Sequence, residues 1–224
     1  MKKVCLVLCL AFLFALPAMA DIIIGNPPNS NNCIPFSCRS IDNGNYEQIY
    51  NSPDFSGSIN IGSISFYDTL FNNGPNQGVA NLNFQLYLAT TAQSVPDGTI
   101  PNNAVLFGNY SLNGGLFAFD SVLSFTGVPY LYDPTQGNLE LILKTSGGSN
   151  PNSGVFTQFD FDSGKTGVFS RWCGVCGNGQ GFGLVTGFET AVPEPGTLLM
   201  MGTGVVGVVG AIRRRLFQPY LLRN

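Results

Sequence analysis

Apolar and polar residues alternate through the middle of this chain with a period of two. Leu82, Phe84, Leu86 and Leu88 interleave with Asn81, Asn83, Gln85 and Tyr87, the spacing of a strand with one buried face. Leu139, Leu141 and Leu143 repeat the pattern against Glu140 and Lys144, and Phe159 and Phe161 face away from Asp160 and Asp162. Ile59 and Ile61 share a parity that Ile64 and Phe66 reverse, with Gly62 at the switch, which places a β-bulge there. Turn residues punctuate these runs at Asn73-Gly74-Pro75, Pro96-Asp97-Gly98, Asn113-Gly114-Gly115, Asp133-Pro134 and Asn150-Pro151. Asn113-Gly114 lies between Tyr110-Ser111-Leu112 and residues 116–125 and predicts a hairpin. Short strands with no long amphipathic helix predict an all-β fold, a jelly-roll-like β-sandwich of roughly nine to eleven strands, with an up-and-down barrel as the alternative.

The two ends break the alternation with continuous apolar runs. Lys2 and Lys3 precede an apolar run over 4–16, and Ala18 and Ala20 supply small residues in an A-x-A pattern. That order predicts a secretory signal peptide over 1–20, cut by signal peptidase before Asp21 after delivery to the Sec translocon. At the other end Pro193-Glu194-Pro195 leads into an apolar run over 198–212, closed by Arg213, Arg214 and Arg215. As a helix this run is about 22–24 Å long at ~1.5 Å per residue, short of the ~30 Å hydrocarbon core unless arginine stems snorkel and the bilayer thins. The predicted helix touches the inner membrane transiently through 197–212, with the arginines on the cytoplasmic side. Thr203, Gly207 and Ala211 fall four apart on one helical face, a small-residue stripe that admits a second helix. The expected organisation is a signal peptide over 1–20, an exported domain over 21–190 and a sorting segment over 191–224.

The triplet, apolar run and arginine cluster together resemble the PEP-CTERM protein-sorting signal of Gram-negative bacteria. That resemblance implies recognition by exosortase, a membrane-embedded cysteine protease, and cleavage near Pro193-Glu194-Pro195. It further implies delivery to the cell surface or extracellular matrix. Within the body, Tyr46-Glu47-Gln48-Ile49-Tyr50, Phe55-Ser56-Gly57, Ile64-Ser65-Phe66, Tyr132-Asp133-Pro134, Gly137-Asn138-Leu139 and Gly183-Leu184-Val185-Thr186-Gly187-Phe188 resemble a recurrent class of exported proteins bearing that signal. The expected role is structural or adhesive within exopolysaccharide, as in a biofilm.

Composition narrows the chemistry. The chain has 224 residues and no histidine, which removes Ser-His-Asp and Cys-His catalysis and histidine-ligated zinc. Residues 21–190 hold twelve acids against four bases, a net charge of −8 behind the −3 of the whole chain. Such a surface repels nucleic acid and attracts divalent cations. No nucleophile stands beside a base, so no enzyme, catalytic residue or cofactor is expected.

Four cysteines remain after signal cleavage: Cys33, Cys38, Cys173 and Cys176. An even number in an exported domain reads as two disulfides. Of the three pairings, a cross-link from the N-terminal arm to 173–176 is slightly preferred. It constrains far more chain, approaching ~5 kcal/mol against ~2 kcal/mol for a local loop. A zinc site and a redox Cys-x-x-Cys are the rivals; the 134 residues between Cys38 and Cys173 suit neither a zinc ribbon nor a βαβ redox motif. Asp160 and Asp162 share a strand face, which allows a solvated edge near Lys165, part of a calcium-tuned lectin-like site, or a glycosidase pair. Gly177-Asn178-Gly179-Gln180-Gly181-Phe182-Gly183 reads as a flexible loop. Trp172 with Tyr46, Tyr50, Tyr67, Tyr87, Tyr110, Tyr130 and Tyr132 forms a candidate sugar-stacking platform. Ice binding is a nominal third reading, since no Thr-x-Thr ladder is present.

Overall fold

The computed structural model describes residues 21–38, 45–164, 169–173 and 177–190. The signal peptide and the C-terminal apolar helix expected from sequence lie outside the described residues. Fifteen strands run through the described residues: β1 (Ile22–Ile24), β2 (Ser30–Asn32), β3 (Asn45–Tyr50), β4 (Ile59–Asp68), β5 (Gln77–Gly78), β6 (Asn81–Thr91), β7 (Val105–Asn113), β8 (Ser121–Tyr132), β9 (Asn138–Ser149), β10 (Val155–Phe156), β11 (Phe159–Ser163), β12 (Phe169–Cys173), β13 (Gly177–Gln180), β14 (Phe182–Leu184) and β15 (Thr186–Thr190). Ten have four or more residues, and among them β4, β6, β9 and β11 stand where the alternation pattern places strands.

Two antiparallel sheets form the sandwich. One is six-stranded, in the order β13-β12-β3-β9-β6-β7, and the other four-stranded, β1-β15-β4-β8. A three-stranded sheet, β14-β11-β2, and a short parallel pair, β10-β5, complete the body. The chain passes back and forth between the two main sheets: β3, β6 and β9 lie in one, β4, β8 and β15 in the other. In an up-and-down barrel each strand pairs with its sequence neighbours, so this winding is that of a sandwich.

Core side chains come from both sheets. Phe84 on β6 and Phe125 on β8 meet edge-on at 5.3 Å, and Tyr50 on β3 meets Phe188 on β15 at 4.9 Å. At the centre sits Phe36, from the loop after β2, fully buried and 4.7 Å from Phe66, 5.5 Å from Phe125 and 5.4 Å from Phe159. Edge-to-face and tilted contacts of this kind suit the ring quadrupoles, and nine of the described phenylalanines are buried.

Two turn expectations come out differently. Gly62 is the extra residue on β4 opposite β15: Ile61 pairs with Thr190 and Ser63 with Glu189, leaving Gly62 between them. The bulge therefore stands where the parity switch puts it. The Asn113-Gly114 hairpin does not form. β7 pairs with β6, through the 92–104 connection, while β8 pairs with β4 in the other sheet. Gly114, at φ +64°, turns the chain across the sandwich instead; the left-handed conformation marks a sharp turn without naming the sheet that the next strand joins.

Candidate functional site

The predicted processing signals precede and follow the described strands in sequence. Ala18, Ala20 and the sorting residues Pro193, Glu194, Pro195, Arg213, Arg214 and Arg215 lie outside the described residues. Asp21 is exposed and immediately precedes β1, and β1 pairs with β15 so that Ile22 faces Phe188. β15 ends at Thr190, three positions before Pro193. The first and last strands among the described residues are thus neighbours in one sheet.

Cys33 is bonded to Cys38. This local pairing overturns the preference for a cross-link to the 173–176 region; the Sγ positions of Cys173 and Cys176 lie outside the described residues. The physical reason is the core. The bridge closes a tight turn in which the amides of Ser37 and Cys38 donate to the Cys33 carbonyl at 2.8 and 3.0 Å. The loop is then tied to the strands behind it. Ala80 N–H donates to the Phe36 carbonyl at 2.8 Å, and Ser37 Oγ donates to the Gly78 carbonyl at 2.6 Å. The disulfide presents Phe36 to the aromatic cluster as a plug.

Asp160 and Asp162 are not on a solvated edge: both are buried, at 2% and 0% exposure. β11 is the middle strand of its sheet, between β2 and β14, and the segment that follows β4 lies over its Asp160 carboxyl. Asp160 Oδ1 accepts from the amides of Thr69 and Leu70, each at 2.9 Å, and Oδ2 accepts from Thr69 Oγ1 at 2.6 Å. Both oxygens are therefore engaged in holding the chain as it leaves β4. Among the described residues no group of three or more histidine, cysteine or acidic side chains is placed to hold a metal.

Sequence reasoning missed a second pair of acids. Glu140 on β9 reads as solvent-facing from its alternation with leucines, and Glu47 on β3 lies within a tyrosine-rich motif. Both are buried, at 1% and 0% exposure. Tyr46, Gln48 and Tyr50 point inward: Tyr46 Oη donates to Gln48 Oε1 at 2.6 Å, and Gln48 Nε2 donates to the Leu184 carbonyl at 2.9 Å. Glu47 and Ile49 therefore occupy the outer face of the six-stranded sheet, where the 92–104 connection covers Glu47. Gly98 N–H donates to Glu47 Oε2 at 2.8 Å, and Asn45 Nδ2 donates to the Gly98 carbonyl at 3.1 Å. Glu140 Oε2 has no hydrogen-bond partner among the described residues. Burial pushes both carboxyls up to about 7, against hydrogen bonds from Gly98 and Asn45 at Glu47 and with the help of the Glu47 charge at Glu140. Asp68 on β4 is likewise pushed up to about 7 by burial, against a hydrogen bond donated by Gln77 Nε2.

The stacking platform is not assembled as expected. Tyr46, Tyr50 and Tyr132 are fully buried core residues, and Tyr132 Oη donates to the Gly137 carbonyl at 2.8 Å. The glycine-rich stretch is not a simple loop either: it forms β13 and β14, separated by Gly181 at φ +76°. A side chain at Gly179 would collide with the Phe182 ring. Phe182 and Phe161 in turn hold the Arg171 guanidinium 5.1 Å from each ring, a cation–π arrangement that shelters a cation inside the fold.

Residues 191–215 match the PEP-CTERM protein-sorting motif. No curated protein and no solved structure matches the chain. The chain carries the motif of an exported protein sorted through the membrane and processed by exosortase.

Proposed function

We propose that the folded body is a non-catalytic structural or adhesive component of the exopolysaccharide at the cell surface or in the extracellular matrix. The observation that carries this reading is the sorting motif over 191–215, joined directly to a β-rich body. Three features support it. The body is strongly acidic, with a net charge of −8 over 21–190, which keeps it soluble and apart from nucleic acid. Its Cys33–Cys38 bridge suits an oxidising compartment. Asp160, one of the candidate chemical residues, has both oxygens hydrogen-bonded to the chain around Thr69, which favours a scaffold over a calcium-tuned lectin-like module.

Incubating the processed protein with polysaccharide from the producing cells tests the reading. Retention on the polymer without added calcium is expected. Failure to bind contradicts the adhesive role, and saturable heat on adding calcium favours the lectin-like alternative.

A further inference from the structure

β6 and β7 send their large apolar side chains inward and leave a polar face outside. In register, Asn81 stands between Ser149 on β9 and Asn113 on β7, Gln85 stands between Lys144 and Asn109, and Asn83 stands opposite Ser111. Amides and hydroxyls thus form three rows across the strands, and Tyr87 opposite Leu106 makes a fourth. The rows extend about 20 Å along β6 at ~3.4 Å per residue, and about 10 Å across the three strands. Asn83, Asn109, Ser111, Asn113 and Lys144 are exposed.

Cross-strand bonds fix these side chains before any ligand arrives. Gln85 Nε2 donates to Asn109 Oδ1 at 3.2 Å, and Ser111 Oγ donates to Asn83 Oδ1 at 2.7 Å. Asn81 Nδ2 donates to Ser149 Oγ at 3.1 Å, and Tyr87 Oη donates to Gln85 Oε1 at 3.0 Å. With their oxygens engaged, the exposed Asn83 and Asn109 keep their Nδ2 groups as donors toward solvent, and the Ser111 hydroxyl keeps lone pairs to accept. Side chains already held in place lose little rotamer freedom on binding. A sugar ring offers the matching chemistry, with hydroxyls that donate and accept around its rim and apolar C–H faces. Tyr87, half-buried with its hydroxyl held by Gln85, and the exposed Leu106 supply the apolar end of the face. Charge selects among polymers. Residues 81–91, 105–113 and 144–149 hold no acid and one cation, Lys144, in a body of net charge −8. An uncharged polymer reaches this face without the repulsion that so acidic a body raises against an acidic one.

We propose that this face binds an uncharged polysaccharide, with the polymer's hydroxyls on the amide rows and a ring face on Tyr87 and Leu106. The proposal rests on the polysaccharide reading and supplies its contact surface. The probe is polysaccharide from the producing cells, separated by anion exchange into uncharged and acidic fractions. Affinity electrophoresis of the processed protein is expected to show retardation by the uncharged fraction. In the Asn83→Ala/Asn109→Ala double variant, with its melting temperature checked against the wild type, the affinity is expected to fall about tenfold. Hydroxyl-radical footprinting needs no variant. The uncharged fraction is expected to lower oxidation of Tyr87 and Leu106 relative to Leu131, which is exposed on β8 in the other sheet. Wild-type binding without protection of Tyr87 and Leu106, or undiminished affinity in the folded double variant, overturns this face and leaves the polysaccharide reading standing. Retention by the acidic fraction alone overturns the proposal as well. No retention by either fraction contradicts the polysaccharide reading itself, and this proposal with it.

Discussion

Asp160 and Glu140 are both almost completely buried carboxylates on central strands, yet the fold treats them in opposite ways. Asp160 receives three hydrogen bonds from Thr69 and Leu70, so its charge is compensated and fixes the chain after β4. Glu140 lies between Ile49 and Ala89 with one oxygen unpartnered among the described residues, and burial drives its carboxyl up to about 7. Burial alone does not decide what an acid does in a fold: Asp160 is held by three donors, while Glu140 is left between apolar side chains.

The sharpest way to break this comparison is to remove the compensated acid. Asp160→Ala strips the acceptor from two amides and a hydroxyl, and a loss of about 3–5 kcal/mol in unfolding free energy is expected by urea titration. A loss below about 1 kcal/mol would mean that Asp160 does not hold the Thr69 segment. The acids whose carboxyls burial raises make the reverse prediction in pH. Glu47, Glu140 and Asp68 have carboxyls raised to about 7 by burial, so the fold binds their protons more tightly than the unfolded chain does. Their stabilising contribution is complete below the ordinary carboxylate range near pH 4 and is lost as pH climbs through about 7. A melting temperature lower by roughly 5 °C or more at pH 8 than at pH 5 is expected in a thermal scan. A rising profile over that interval would contradict the assignment.

Smaller effects sharpen the picture. Cys33→Ser opens the loop that presents Phe36, and a loss of about 2 kcal/mol is expected from chain entropy for so short a loop. The near-ultraviolet aromatic signal should weaken as the cluster loosens. Glu140→Gln removes the titrating charge while keeping the shape. It is expected to raise stability at pH 8 by about 1 kcal/mol and to leave it unchanged at pH 4.5. Equal effects at both pH values would mean that packing, not charge, is being read.

Alternation in Leu82, Phe84, Leu86 and Leu88 was enough to announce β6, and the parity switch at Gly62 located its bulge, because both are local consequences of the pleat. Asn113-Gly114 announced a turn but not its destination, since the sheet that β8 joins is decided by long-range packing. Glu140 looked solvent-facing because period two distinguishes two faces without saying whether the outer one is covered. The 92–104 connection that covers Glu47 carries no periodic signal. Cys33 and Cys38 were legible as disulfide cysteines, but their pairing was not, because four cysteines allow three connectivities. The sorting motif was the most legible feature, being written in consecutive residues and independent of the fold.

The central claim is that this is an exported chain matured at its C-terminal motif, and mapping both termini by mass spectrometry in cells with and without exosortase tests it most directly. With the protease present, the mature protein should begin at Asp21 and end near Pro195. Without it, the 191–224 segment should persist and the protein should stay in the membrane fraction. Recovery of the full-length chain from the cytosol, both ends intact and indifferent to the protease, would contradict the account.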